Sequence, residues 1–405
     1  MFTTTKDLTL PTTVTGSWPR PTWYTANLAG RPFSSAMVDL GYREQHIDAI
    51  SSLISDQEYA GLDILTNGDY HLDAELGGRS WIMYPLQRVG GVTELDLEGS
   101  DPIWAYHRLG TWLYEIVNGW RYPKVVGRIE PRIPLELAKI WRLTQARAQK
   151  PVRLCTISGD LAASVLTLDT DVYKDDKREL MWDMATLMNR ELRELAAAGC
   201  KAIQLDDPLV YVADAVGEDP EVIDFMVDVF NHQVEGLDDV EIWIHTCWGN
   251  AGAQRSMDAG YESAVETMLH RIKGDVWTIE SKDAGHEPLK LLAPYRGRLT
   301  KKVAAGFVSH RTINVETAEE VADDVRRALE HIDPEHLVLS SDCGFGREGI
   351  PRPAALYKAS ALAQGANIVR RELGLPETPV PAVDPELQVD IPGRALASAP
   401  GPSFS

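Results

Sequence analysis

The strongest constraint on folding is a recurrence. Short β-branched, apolar runs alternate with amphipathic stretches along most of the chain, the pattern of parallel strands joined by crossover helices. Eight runs qualify, at 12–15, 62–66, 152–157, 202–205, 241–244, 276–279, 302–305 and 337–339. The stretches between them, such as 178–198 and 318–331, repeat apolar residues at steps of three and four, as a helix covering a sheet requires. Eight strand-and-helix units predict an α/β protein with a (β/α)8 TIM-barrel fold. Length does not decide the matter, since 405 residues divide as readily into two or three domains.

Two segments depart from the repeat. Residues 77–140 are too long for one unit, and Gly90-Gly91 with the run 124–129 predict an inserted hairpin and a helix over the barrel mouth, a candidate lid. From Leu375 the chain reads LPETPVPAVDPELQ and onward, rich in Pro and Ser without a helical period, which predicts a disordered tail. The expected organisation is one barrel domain over 1–374, its insertion at about 77–140, and a tail over 375–405.

Composition excludes several function classes. With 44% hydrophobic residues the chain has the material for a large core, which rules out global disorder. Sixty acidic against forty basic side chains give a formal charge of −20, a balance that repels phosphate backbones and anionic lipid; neither nucleic acid nor a membrane surface is an expected partner. No run approaches the roughly 20 apolar residues of a membrane span, and Lys6 and Asp7 stand where a signal peptide needs apolar residues, so a cytoplasmic protein is expected. The four cysteines, Cys155, Cys200, Cys247 and Cys343, are too scattered for a disulfide framework. In a reducing compartment each is a small core residue or a metal-binding or catalytic thiol.

Reactive side chains fall at the carboxyl ends of the predicted strands, where barrel active sites are built. Ile-Trp-Ile-His-Thr-Cys ends the fifth with His245 and Cys247, two residues apart and so on one face. Glu280 ends the sixth and Cys343 follows the eighth. One imidazole, two thiolates and a carboxylate make a tetrahedral zinc set. Zinc lowers the pKa of an incoming thiol, and a weak ligand such as Glu280 is the one a substrate displaces. Cys155 and Cys200 lack such neighbours and read as core.

Ser17, Asp69 and the pair Asp206-Asp207 follow the first, second and fourth strands. Adjacent residues of an extended chain point opposite ways, so one of the pair faces the mouth; Asp206 is favoured, as acceptor for a substrate ammonium group. Asp69 and Asp207 read equally well as helix caps. His310 and Arg311 follow the seventh strand, a proton shuttle and an anion partner respectively, although a single His is more often structural. Gly344, Gly346 and Gly349 form G-x-G-x-x-G after a strand; a dinucleotide fold needs further βαβ units beyond it, and only one helix and the tail remain. These glycines read instead as a tight turn beside Cys343 or a close backbone approach to substrate.

Taken together, Thr12-Thr13-Val14-Thr15-Gly16-Ser17-Trp18-Pro19, Gly61-Leu62-Asp63 through Gly68-Asp69, Ile203-Gln204-Leu205-Asp206-Asp207-Pro208, Ile244-His245-Thr246-Cys247, Thr278-Ile279-Glu280 and Asp342-Cys343-Gly344 resemble, in order, the catalytic domain of cobalamin-independent methionine synthase. The resemblance implies a (β/α)8 barrel with zinc on His245, Cys247, Glu280 and Cys343, activating a thiol such as homocysteine, with the amino-acid contacts on Ser17, Asp69 and Asp206. It also has departures. The family's second, N-terminal barrel has no counterpart here, and Asp69 and Asp207 stand where the family has glutamate. The family's proton-shuttle histidine falls on Arg311, one place from His310. Residues 158–166 contain no aromatic to stack on folate. The expected activity is thus zinc-dependent methylation of homocysteine to methionine, with methyltetrahydrofolate or another methyl donor. The alternative is alkyl transfer to another thiol, such as the epoxide opening by coenzyme M found in related single-domain proteins. A non-catalytic barrel holding zinc for stability is the reading from outside enzymology. The sequence leaves the oligomeric state open.

Overall fold

A computed structural model describes residues 4–74, 79–93, 122–174, 176–206, 208–250, 253, 255, 260–346 and 349–384. Its centre is one parallel sheet of seven strands: β1 (Leu65–Thr66), β4 (Val152–Ile157), β6 (Ala202–Asp206), β7 (Glu241–His245), β8 (Val276–Ile279), β9 (Lys302–Val308) and β10 (Leu337–Ser341), adjacent in that order. Every residue of these strands is buried, because helices cover one face and the sheet curls over the other. A cluster of Ile64, Ala202, Trp243, Val276, Ala304 and Val338 draws one residue from just before β1 and one from each of β6 to β10, and Arg153 of β4 lies 4.0 Å above the Trp243 ring.

The expected first strand, 12–15, is present only as bridges, and it reaches both edges of the sheet. Thr13 N–H donates to Leu339 O (2.9 Å) and Leu339 N–H to Pro11 O (2.8 Å), while Ile64 N–H donates to Thr12 O (3.1 Å). Its threonine hydroxyls bond across as well, Thr13 Oγ1 to Ile64 O (2.9 Å) and Thr15 Oγ1 to Ser341 O (2.9 Å). Polar side chains thus complete the hydrogen bonding that the short ladder leaves open.

The helices start where their caps dictate. Asp39 accepts from Gly41 and Tyr42 N–H at the head of Leu40–Tyr59, and Thr317 with Glu320 forms a full capping box before Ala318–Ala328, arrangements that satisfy otherwise orphaned first-turn donors. Among the described residues no helix is long and apolar enough to cross a membrane.

The insertion builds its own small sheet. β2 (Val89–Val92) pairs antiparallel with β3 (Lys124–Pro131), which pairs in parallel with β5 (Thr167–Leu168). Helix Arg79–Leu86 shares a buried cluster with this sheet and with a later helix, Ile82, Met83 and Leu86 joining Val89, Val125, Ile129 and Leu161. The rest of the expected lid, 94–121, lies outside the described residues.

The expected tail begins too early. Residues 375–384 are docked on the sheet's covering helices: Thr378 donates through Oγ1 to Asp63 (2.7 Å), and its N–H and C=O pair with Asn367 (2.9 and 2.7 Å). Arg370 ties the same Asp63 at 2.5 Å. A proline-rich composition removed the helical period but not the ability to use side-chain partners. Residues 385–405 lie outside the described residues.

Candidate metal centre

Strand register brings the chemistry together. β6 and β7 pair so that Asp206 stands opposite His245, and neighbours in register project to the same side. Asp206 Oδ1 therefore meets His245 Nδ1 at 2.8 Å, and Gln204 Nε2 donates to the same oxygen at 2.9 Å. The other ring nitrogen, Nε2, is buried and, among the described residues, finds no nitrogen or oxygen partner. Just beyond, Thr246 N–H donates to Thr278 O (3.0 Å) and Trp277 Nε1 to Thr246 Oγ1 (3.0 Å), which fixes the turn that presents Cys247.

Cys343 arrives from β10 on an equally constrained loop. Asp342 accepts the N–H groups of Ser281, Lys282 and Asp283 at 2.7–2.8 Å, tying this loop to the one that follows Glu280. Phe345 N–H reaches Ser17 O at 2.9 Å and Gly346 N–H reaches Ser17 Oγ at 3.2 Å. A Cβ on Gly344 would lie 2.3 Å from Ser17 Oγ, and one on Gly346 2.4 Å from Trp18 O. The glycines after Cys343 serve this close approach, as a tight-turn reading requires.

His245, Cys247 and Cys343 offer one ligand atom each, all within 4.8 Å of one another. Cys343 is buried, whereas Cys247 is half-buried. Burial favours the neutral form of His245, yet the Asp206 carboxylate and the Cys343 thiol outweigh it and push its pKa up to about 10. The neighbouring Cys247 thiol and then burial push the Cys343 pKa well up, with His245 opposing them. Two thiols beside an imidazole oriented by a carboxylate fit a soft or borderline dication.

Glu280 is outside that cluster. Its carboxylate groups with His310 and Asp342 and accepts from Trp248 N–H at 2.7 Å, from the Asn250 amide and from Arg311 at 3.1 Å. Burial raises its pKa, against these three partners. His310 is fully buried and, among the described residues, neither of its ring nitrogens is hydrogen-bonded; burial, then the cationic Arg311, His245 and Lys358, pull its pKa down to about 3. Asp69 is buried at the end of β1 with a left-handed backbone, φ 59°, a conformation that Asp tolerates better than most residues. Asp207 lies outside the described residues.

Asp206 was expected to face a substrate ammonium group, and the structure commits one of its oxygens to the imidazole. Sequence reading also missed the wall formed by Trp248, Tyr211 and Tyr261, whose rings lie 4.8–5.6 Å apart, and it missed Asn250. Trp248 and Asn250 sit one and three residues beyond Cys247, and that proximity was the available signal. Cys155 and Cys200 are buried core thiols, as expected; burial pushes Cys200 up to about 12 and Cys155 higher still.

Reactive groups gathered at the carboxyl ends of parallel strands define an α/β enzyme. The profile of the family described as cobalamin-independent synthase, catalytic domain, matches residues 111–364, and the chain belongs to that family of methyltransferases. It is 28% identical to the methionine synthase of Saccharolobus solfataricus over 364 residues, covering 90% of this chain and 96% of the relative. The Sulfolobus acidocaldarius methionine synthase is 26% identical over 365 residues, covering 90% and 93%. A B12-independent methionine synthase from Shewanella sp. W3-18-1, solved in complex with selenomethionine, superposes with a TM-score of 0.72 at 25% identity, covering 90% of this chain and 99% of that one.

Proposed function

We propose that the chain methylates homocysteine to methionine at a zinc ion held by His245, Cys247 and Cys343, with Glu280 as the weakest, releasable ligand. The site would lie at the mouth of a (β/α)8 barrel closed through residues 12–15. The observation that carries this reading is the convergence of one imidazole and two thiols, with Asp206 orienting the imidazole from behind. Zinc bound there supplies a Lewis acid that lowers the pKa of an incoming thiol. The relatives' name and the selenomethionine in the Shewanella structure support homocysteine as the acceptor.

The chain's own groups do the remaining work. Ser17 and Asp69 hold the amino-acid end of the substrate together with Asp206, whose first duty is to His245. The thiol gives up its proton, sulfur attacks the donor methyl, and the electron pair of the broken bond leaves with the donor. His310 relays the proton, and Arg311 pairs with Glu280. For the donor, methyltetrahydrofolate competes with other methyl carriers. Helix Gly159–Ser164 has no aromatic side chain, and it lies so close to the helix behind it that a Cβ on Gly159 would come within 2.7 Å of Ala185 N. That favours a donor other than folate and keeps open a second reading, epoxide opening by coenzyme M.

The test is a donor panel. Zinc-loaded protein is incubated with homocysteine and each of methyltetrahydrofolate and methylcobalamin, and in parallel with coenzyme M and an epoxide, with products read by mass spectrometry. Methionine from any methyl donor supports the first reading; thioether from the epoxide alone supports the second.

A further inference from the structure

The metal cluster and the Glu280 carboxylate point to different partners. Of the expected ligands, three converge on one point and the fourth is turned into a cradle of its own. Glu280 Oε1 accepts from Trp248 N–H (2.7 Å) and the Asn250 amide, and Oε2 accepts from Arg311 (3.1 Å). The same Arg311 nitrogen donates to Asn250 Oδ1, so Asn250 is fixed from both sides. Arg311 is fixed in turn: its N–H reaches Ser309 Oγ at 3.0 Å and its Nε lies 3.5 Å from Asp283.

We propose that Arg311 and Asn250 form a built-in receptor for the Glu280 carboxylate that competes with the metal for it, so that Glu280 is held weakly by the metal and its position passes readily to substrate sulfur. This rests on the zinc reading above. The charge count favours it. Two thiolates and a neutral imidazole already neutralise a dication, and a bound carboxylate would make the centre anionic before an anionic sulfur arrives. Guanidinium is the one side chain that holds a carboxylate without ever losing its proton, so the receptor does not switch off with pH. Asn250 and the Trp248 amide supply the further hydrogen bonds that a fully buried carboxylate needs. Arg311 is a positioning residue, acting on the metal through Glu280.

The experiment measures zinc affinity by competition with a chromophoric chelator, and homocysteine affinity of the zinc-loaded protein by calorimetry, in wild type, Arg311→Met, Arg311→Lys and Asn250→Ala. Arg311→Met is expected to bind zinc about tenfold more tightly, since the released carboxylate becomes a firmly held fourth ligand, and to bind homocysteine more weakly. Arg311→Lys restores part of both values, and Asn250→Ala moves both in the Met direction by less. Circular dichroism checks folding, and if Arg311→Met is unfolded the Asn250→Ala result decides. Unchanged or weaker zinc binding in the deciding variant overturns the receptor and leaves the zinc reading intact. A wild type that binds no zinc overturns the zinc reading and the receptor with it.

Discussion

Replacing Asp206 by Ala isolates the part of the centre that never touches the metal. The wild-type contact is a 2.8 Å hydrogen bond between two side chains that are 3% and 4% exposed. Its removal frees the imidazole to rotate and to carry its proton on either nitrogen, so Nε2 is no longer reserved as the donor atom. Partners of this kind change metal affinity by about 10- to 100-fold, or about 1.4–2.7 kcal/mol. Asp206→Ala belongs at the upper end because nothing replaces the acceptor. Asp206→Asn belongs near the lower end, because its carbonyl still accepts from Nδ1 while the charge is lost. The assay is zinc competition with a chelator, without substrate, on variants whose circular dichroism matches wild type. An Asp206→Ala protein that binds zinc within about twofold of wild type would refute the orienting role.

Other perturbations separate the site from its scaffold. Cys343→Ser is expected to lose most of its zinc by elemental analysis while Cys200→Ser stays near stoichiometric; equal loss in both would point to unfolding instead of ligation. Gly344→Ala forces a Cβ to within 2.3 Å of Ser17 Oγ and is expected to cost about 1–3 kcal/mol, read as a lower denaturation midpoint with reduced zinc content. Burial, with help from nearby arginines and, for His71, first from His46, pulls the pKa values of His46 and His71 down to about 3. Between that value and the unfolded value near 6.5 the unfolded chain binds more protons, so stability falls as pH falls through this window, by up to about 1.4 kcal/mol per unit for each histidine. Urea midpoints at pH 7.0 and 5.5 check this, and a flat profile would contradict it.

Strand positions were legible because a parallel strand buried on both faces must be apolar throughout: the run 152–157 coincides with β4, and 276–279 with β8. The segment 12–15 is the exception that the same physics explains. It bridges two edges with threonine hydroxyls, and its polar character carries no strand-length ladder. Strand ends also pointed to His245, Cys247 and Cys343, whose ligand atoms the fold brings within 4.8 Å of one another, although Cys247 stands on the turn just past β7. What the sequence did not disclose depends on register and on loops meeting in space. Asp206 is 39 residues from His245, and only the pairing of β6 with β7 makes it the imidazole's partner. The Glu280–Arg311–Asn250 triangle joins three separate loops, so no local spacing encodes it. The docking of residues 375–384 was hidden for a related reason, because Thr378 finds its partners on Asp63 and Asn367, far apart in the chain.

The central claim is that the imidazole and two thiols hold zinc for thiol activation. Metal content of the purified protein, followed on the same sample by calorimetric titration of homocysteine into the zinc and chelated forms, tests it most directly. The account predicts near-stoichiometric zinc, homocysteine binding that requires it, and proton release on binding. Absence of zinc, or homocysteine binding indifferent to its removal, would contradict the account.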